Sequence, residues 1–405
     1  MTNARLPRSI ETSGRVDPKP QDGGTIVSHK PGDMIDLGGA NDTTVLAYGY
    51  RDQVDLVGSA DFEGSGNIVH LLGNASVVST GGGGSNTIFL QGRNDTVSGQ
   101  QFPGSSDTID ATGKGAVITV GGDNTVLLQG TDALVSILGT RPGDSDSPLN
   151  NSEVIASGAG KATVMGGGAS FSFSGDRGTY VVNGGDAERT TISGGAGGGL
   201  FTGGTYMSPY PEGPGDGSYF YVGNNTITAG AQRSTLVGGA HGSSTLIATG
   251  TAHDVLIAGQ YGQDILTSGN STVGNLYEGY RGAFVPTDDT NVPSLVINAG
   301  SGNDTLIGGN AAETLTGGAG HDLFRFISQP TFTALPPDGG GTLITDFTPG
   351  IDKIDLQGFS GTAQQVVANE SIRGGSTTLF LSDNAVVTLS HVTNLSVKDF
   401  TFSGS

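Results

Sequence analysis

The sequence contains no cysteine and no tryptophan. Without cysteine there is no disulfide framework and no zinc site built on thiolates. Histidine is scarce too. His29, His70, His241, His253, His321 and His391 are the complete set, none precedes a glutamate, and no two lie four apart. The H-E-x-x-H zinc motif of a metalloprotease is therefore missing. The G-x-S-x-G nucleophile elbow and the G-x-x-x-x-G-K-[ST] phosphate loop are also absent. No stretch approaches the ~18 apolar residues of a membrane-crossing helix. Residues 1–11, M-T-N-A-R-L-P-R-S-I-E, lack the apolar core of an ordinary signal peptide. Positive charge is sparse, with 18 Lys and Arg against 38 Asp and Glu and a net charge of −20. Nucleic acid and anionic membranes are thus poor partners for the chain as a whole, and a cation is the natural counter-charge.

Glycine is what the sequence has in excess: 72 of 405 residues, against a usual ~7%. It follows no period of three. Apolar residues recur every nine to ten positions instead, at Ile35, Val45, Val54, Ile68, Val77, Ile88, Val97, Ile109, Val117, Val126 and Val135. The beat continues from Val154 to Phe201 and from Tyr219 to Leu266, with glycine turns between. This predicts an all-β fold: a parallel β-roll or β-solenoid of degenerate nine- to ten-residue repeats. An antiparallel sandwich has similar strand spacing. The recurring T-U-x-x-G-G after each turn, where U is a large apolar residue, favours the solenoid.

Three consecutive nine-residue units are clearest: A-G-S-G-N-D-T-L-I, G-G-N-A-A-E-T-L-T and G-G-A-G-H-D-L-F-R, over residues 299–325. Their sixth positions are Asp304, Glu313 and Asp322, and their eighth are Leu306, Leu315 and Phe324. Glycines allow the tight turn and let carbonyls face inward. A carboxylate beside those carbonyls makes a hard, all-oxygen site that suits calcium rather than zinc. The residues after the acid alternate as a half-buried strand does. Asp304 and Asp322 are 18 residues apart, one coil in a roll with two strands per coil. The middle unit has Ala311 and Glu313 at positions four and six, and its stacking partners were expected near Val292 and Phe326.

These units resemble the G-G-x-G-x-D-x-U-x repeat of the RTX, or hemolysin-type calcium-binding, family. The resemblance implies one Ca2+ held between two turns, by the carbonyls of Gly300 and Gly302 with the carboxylate of Asp304, and by the carbonyls of Gly317 and Ala319 with Asp322. Residues 342–359, T-L-I-T-D-F-T-P-G-I-D-K-I-D-L-Q-G-F, resemble the segment that closes the roll in the serralysin C-terminal region. That likeness implies a second site made by Asp346 with the carbonyls of Gly318 and Gly320 and with Asp322. The ending V-K-D-F-T-F-S-G-S is similar to those of chains exported by type I secretion machinery, which implies a secreted, extracellular protein. A C-terminal β cap, with a hairpin around Ser382-Asp383-Asn384, is expected to close the sheet edge. The implied organisation is a flexible tail over 1–31, a degenerate solenoid over 32–298, calcium-binding repeats over 299–325, and a cap and secretion region over 326–405.

Most other copies have lost the acid: Asn86, Ser234, Ser244 and Gly199 stand in its place. Asp33, Asp52, Asp254 and Asp264 keep it without a complete glycine pattern. Four Pro-, Gly- and Asp-rich segments, 140–151, 205–217, 278–293 and 329–341, read as loops. Tyr206, Tyr210, Tyr219, Tyr221, Tyr277, Tyr280 and Phe284 on or beside them can stack on sugar, although packing on the coils is their more ordinary role. An extracellular polysaccharide or a cell surface is the partner class this allows. The sequence favours a non-catalytic protein with a structural, adhesive or extracellular-matrix role. The alternative is a polysaccharide lyase or epimerase on a solenoid, with His253, Asp254, Tyr261 and Asp264 as its only grouped candidates.

Overall fold

The computed structural model describes residues 9–12, 15–16, 23–37, 40–56, 65–80, 85–99, 106–121, 123–138, 153–156, 162–166, 170–173, 179–183, 189–194, 198–203, 224–239, 243–259, 263–269, 271–279, 294–309, 312–328, 341–383 and 385–403. The four expected loops fall almost wholly outside them. So do Tyr206, Tyr210, Tyr219, Tyr221, Tyr261, Tyr280 and Phe284. The chain forms two compact units, Met1–Gly197 and Gly198–Ser405. Among the described residues no helix is long and apolar enough to cross a membrane.

In the first unit the chain alternates between two parallel sheets, one strand in each per coil. One sheet stacks Thr25–Ser28, Thr44–Ala47, Ile68–Leu71, Thr87–Leu90, Thr108–Ala111 and Thr125–Leu128 in register. The other stacks Met34–Asp36, Gln53–Asp55, Val77–Ser79, Thr96–Ser98, Val117–Gly121 and Ala133–Leu138. Side chains alternate across a strand, so each strand buries one row. Val45, Val69, Ile88, Ile109 and Val126 line the core from the first sheet, and Ile35, Val54, Val78, Val97, Ile118 and Val135 from the second. Burying each stabilises by roughly 1.5–3 kcal/mol. The beat was read correctly, but its phase was one residue off in three places. Val69, Val78 and Ile118 point inward, whereas Ile68 is 39% exposed and Val117 38% exposed. Strand pairing also begins inside the segment expected to be a tail: Ser9–Thr12 pairs with Thr25–Ser28.

The second unit repeats the pattern. One sheet runs through Asn224–Thr228, Ser244–Ile247, Gln263–Thr267, Ser294–Asn298, Ala312–Thr316 and Thr342–Ile344. The other runs through Gly198–Thr202, Thr235–Val237, Val255–Ile257, Leu276–Glu278, Thr305–Ile307, Leu323–Ile327 and Lys353–Gln357. Glu313 stacks between Leu295, 18 residues before it, and Thr342, 29 residues after it; the segment 329–340 lengthens the second of these coils, so Phe326 is not its partner. Tyr277 is a core residue, fully buried, and its hydroxyl donates to the Ala299 carbonyl at 3.2 Å. It is not a loop platform.

At the C-terminal end Ser376–Phe380 and Val386–Leu389 form an antiparallel hairpin, and the second of these strands pairs in parallel with Thr342–Ile344. The edge of that sheet thereby ends in a hairpin. Phe400–Thr401 pairs with Lys353–Gln357. Buried Asp355 holds it, accepting from Thr401 Oγ1 (3.0 Å), Ser403 Oγ (2.7 Å) and Arg325 Nε (2.8 Å).

Candidate metal centre

The sixth residue of the repeat makes a ladder. Its side-chain oxygen accepts the backbone N–H of the equivalent residue one coil earlier. In the second unit Ser234 N–H donates to Asp254 (2.8 Å), Asp254 to Asn275 (2.9 Å), Asn275 to Asp304 (2.6 Å), Asp304 to Asp322 (2.9 Å), and Asp322 to Asp352 (3.0 Å). In the first unit Thr43, Asn67, Asn86 and Asp107 donate in turn to Asn67, Asn86, Asp107 and Asn124 at 2.8–3.2 Å. Each N–H lies where the chain passes from the turn into the strand. Buried and unbonded, it would cost about 1–3 kcal/mol.

What the other side-chain atom does divides the turns into kinds. An asparagine turns its amide onto the oxygens of its own side of the roll. Asn67 Nδ2 donates to Ala40 O (2.9 Å), Asn124 Nδ2 to Gly121 O (2.8 Å), and Asn275 Nδ2 to Val273 O and Ser271 Oγ (both 3.1 Å). The amide hydrogens stand where a cation would. In a second kind, an aspartate takes an N–H from its own turn: Asp52 from Gly49 (2.8 Å), Asp264 from Gly259 (2.8 Å), Asp352 from Thr348 (2.7 Å). Asp304 and Asp322 have neither. Their Oδ2 atoms are buried and make no hydrogen bond. Asp95 is intermediate: its Oδ2 makes no hydrogen bond of good geometry, and the Ser76 N–H on Oδ1 (3.0 Å) and the nearby Gly92 N–H partly offset its burial.

The turn conformation explains the difference. Gly318 and Gly320 have φ of +93° and +148°, and a Cβ on either would sit on the carbonyl oxygen of Gly300 or Gly302. Only glycine fits both the dihedral and the close approach. The turn N–H groups are engaged between coils: Ala319 N–H donates to Gly300 O (2.8 Å) and Gly302 N–H to Ala319 O (2.9 Å). Those of Gly317 and Gly318 go to Asp346, at 3.0 and 2.6 Å. None of these four reaches Asp304 or Asp322.

Burial pushes Asp304 up to about 7, and the negative charge of Asp322 adds to it. Burial raises Asp322 as well, with Asp352 and Asp346 adding. A divalent cation between the turns would supply the missing partner of both Oδ2 atoms and would remove the repulsion. Among the described residues no group of three or more His, Asp or Glu side chains is placed to hold a metal alone. Main-chain carbonyls have to complete the set, as calcium accepts and zinc does not. The expected ligands Gly300, Gly302, Asp304, Gly317, Ala319 and Asp322 lie together on two stacked turns, bridged in register at Ser301 and Ala319. Gly317 lies against Asp322 Oδ2. The residues expected of a second site, Asp346, Gly318, Gly320 and Asp322, share the second turn. There Asp346 engages the Gly317 and Gly318 N–H groups.

Sequence reasoning missed Asp352 and Asn275. Asp352 extends the ladder past Asp322. Its signal was present in G-I-D-K-I, an acid two residues before an inward Ile354, but the inserted segment 329–340 hid the 18-residue spacing. Asn275 closes the coil above Asp304 without metal. We expect Asn275→Asp to extend calcium dependence by one coil. The variant should lose roughly 1–3 kcal/mol in chelator, because Val273 O and Ser271 Oγ lose their donor, and regain stability with calcium. Thermal midpoints in EGTA and in calcium check this. Equal stability of variant and parent in EGTA would refute the substitute role of the amide.

Two family models match the chain. The Peptidase M10 serralysin C terminal model matches residues 218–401, and the RTX calcium-binding nonapeptide repeat model (4 copies) matches residues 80–101. No protease domain is among these matches. No curated protein matches the chain. The chain thus carries RTX calcium-binding repeats, with Ca2+ as their cofactor, and a serralysin-type C-terminal region. The repeat match contains Asn86, whose amide donates to Asp107 Oδ1 at 3.0 Å, and the intermediate Asp95.

Proposed function

We propose that this chain, with its RTX repeats and serralysin-type C-terminal region, is a secreted extracellular protein that calcium stabilises and that has no catalytic activity of its own. Its role is structural or adhesive, in an extracellular matrix or at a cell surface. The observation that carries the reading is the pair of buried, unpartnered carboxylate oxygens at Asp304 and Asp322. They leave the fold incomplete where calcium is scarce and complete it where calcium is abundant, as it is outside cells. The chemistry of the candidate catalytic group supports the same reading. Asp254 and Asp264 are buried with both oxygens bonded to backbone N–H groups, and His253 Nδ1 contacts Gly274 O at 2.5 Å. Asp254 and Asp264 thus brace turns and are closed off from solvent.

Two measurements test this. A reporter fused ahead of residues 342–405 should leave cells that hold a type I exporter and stay inside cells that lack one. Retention in both would sink the secreted reading. Calcium-loaded full chain incubated with uronate-rich polysaccharides should release no reducing ends and no unsaturated uronate. Release of either would overturn the non-catalytic reading.

A further inference from the structure

One edge of the first unit is unlike the rest of this acidic chain. Six successive turns on that edge stack through one repeated bond: Gly32 N–H to Tyr50 O (2.9 Å), Arg51 to Asn74 (3.0 Å), Ala75 to Arg93 (2.8 Å), Asn94 to Lys114 (2.8 Å) and Gly115 to Thr131 (2.7 Å). The bonds fix which side chains share the line. Arg51, Arg93 and Lys114 lie on it, Lys30 lies beside it against Gly49, two residues before Gly32, and all four are exposed. Nine Lys and Arg side chains are described in the whole chain, so four on one edge is a concentration. Lys114 pairs with Asp132 at 3.1 Å. Among the described residues the other three form no ion pair.

One acid on this line, Asp132, faces out, and it is the partner of Lys114. Asp33, Asp52 and Asp95 follow the line by one or two residues and are 2%, 0% and 0% exposed. The carboxylates of these three turn inward, onto Ser28 Oγ and the N–H groups of Asp33, Gly49 and Ser76. Apart from Asp132, what faces solvent is cationic and aromatic. Tyr48 and Tyr50 are each 49% exposed. Tyr48 stacks on His29 with ring centroids 5.1 Å apart, and the Arg51 guanidinium lies 5.0 Å over Tyr50. A column of glycines, Gly49, Gly73, Gly92 and Gly113, runs beneath with no room for a Cβ. The line is therefore flush and rigid, and it repeats at the ~4.8 Å spacing of neighbouring strands.

We propose that this edge is a docking line for an acidic polysaccharide, a uronate-bearing chain lying along the roll axis. Braced tyrosine rings offer flat faces to the C–H faces of sugar rings. The four cations, spread over about 19 Å at that spacing, meet successive carboxylates. The repeat of the edge is close to the advance of one sugar ring in an extended chain. The inference deepens the adhesive role proposed above and rests on it.

The test uses the full, calcium-loaded chain and immobilised sodium polygalacturonate, with dextran as the neutral polymer and double-stranded DNA as a phosphate polyanion. We expect retention on polygalacturonate at low salt, release as salt screens the charges, and none on dextran. Arg51→Asn/Arg93→Ala/Lys114→Ala should weaken binding roughly tenfold or more with unchanged circular dichroism and calcium stoichiometry. Asparagine is chosen for position 51 because that residue has φ +62°, which asparagine tolerates. Tyr48→Ser/Tyr50→Ser should lose polygalacturonate more than DNA. The proposal is overturned if the charge variant binds as the parent does, if dextran is retained equally, or if DNA is bound as tightly and the tyrosine variant is unaffected. A folded, calcium-binding chain that ignores polygalacturonate defeats this inference alone. A chain that is not exported defeats the reading beneath it.

Discussion

Asp304→Asn/Asp322→Asn should make the second unit more stable than the parent in EGTA and blind to calcium. Each asparagine keeps the ladder oxygen that accepts the N–H of the coil before, as Asn275 does for Asp254 at 2.9 Å. Each replaces a buried oxygen that has no partner with an amide that can donate to the turn carbonyls. The parent in EGTA retains two adjacent buried carboxyls, one of them pushed up to about 7 by burial and by the other's charge. Calcium binds only the folded turns and stabilises them by RT ln(1 + [L]/Kd), roughly 2.7 kcal/mol at a hundredfold excess over Kd. In a unit the size of Gly198–Ser405 that is a rise in Tm of roughly 5–10 °C. The double asparagine variant should show almost none of it. Asp304→Ala/Asp322→Ala should be calcium-blind as well but less stable throughout, because Asn275 and Asp304 N–H lose their acceptors. Calorimetry of the three proteins with and without calcium decides this. A full calcium shift in the asparagine variant would remove the centre from these two residues.

The contrast between turn kinds has a spatial corollary. Hydrogen exchange on adding chelator should rise most over residues 299–322, where the oxygens lack partners. It should rise less over 65–80, 106–121 and 123–128, where the side chains of Asn67, Asp107 and Asn124 hold backbone partners.

The centre was legible because its two determinants are local. Glycine at the positions that need left-handed backbone, and an acid two residues before an inward apolar residue, both survive in the sequence. The 18-residue return from Asp304 to Asp322 needs no knowledge of the fold beyond two strands per coil. What was not legible depends on coil length, and the described coils differ. Thr25 pairs with Thr44, 19 residues on, and Thr44 with Ile68, 24 on. Arg51, Arg93 and Lys114 share an edge only through that irregular count, so no fixed period reveals them. The same irregularity misplaced the later neighbour of Glu313 and hid Asp352. Phase failed for a different reason. At Ile68-Val69, Val77-Val78 and Val117-Ile118 two apolar residues adjoin, and a period of two cannot say which faces in. Tyr277 was drawn to the loop by the Pro- and Asp-rich residues after it, although its place two residues beyond Asn275 is the inward position of the repeat.

The stability of the chain should respond to pH in opposite senses with and without calcium. Apart from Asp304 and Asp322, five buried acids are raised chiefly by burial, with backbone N–H bonds partly offsetting it, Asp352 among them. Asp95, Asp254 and Asp264 stand at about 6 against an ordinary 3.8, and Glu313 at about 7 against 4.5. A carboxyl whose pKa is raised by folding holds its proton longer in the folded chain than in the unfolded one. Its contribution is fully present below the unfolded value and is lost as pH climbs through the folded value. In EGTA, stability should therefore fall from pH 5 to pH 8. Each tenfold difference in proton affinity is worth about 1.4 kcal/mol, so the fall should amount to a few kcal/mol. Self-repulsion in a chain of net charge −20 acts in the same direction, but added salt screens exposed charge and leaves the buried groups largely untouched. A slope that survives salt belongs to the ladder. Asp264→Asn should flatten it, because the asparagine keeps an acceptor for Ser244 N–H, now 2.7 Å from Asp264, without a proton to lose. Calcium reverses the sense, since Asp304 and Asp322 must be deprotonated to bind it. The gap between calcium and EGTA midpoints should widen steadily from pH 5 to pH 8. A salt-resistant EGTA midpoint that is flat or rises over this range would mean that these carboxyls ionise in the fold as freely as in water, and that the ladder tolerates their charge without a cation.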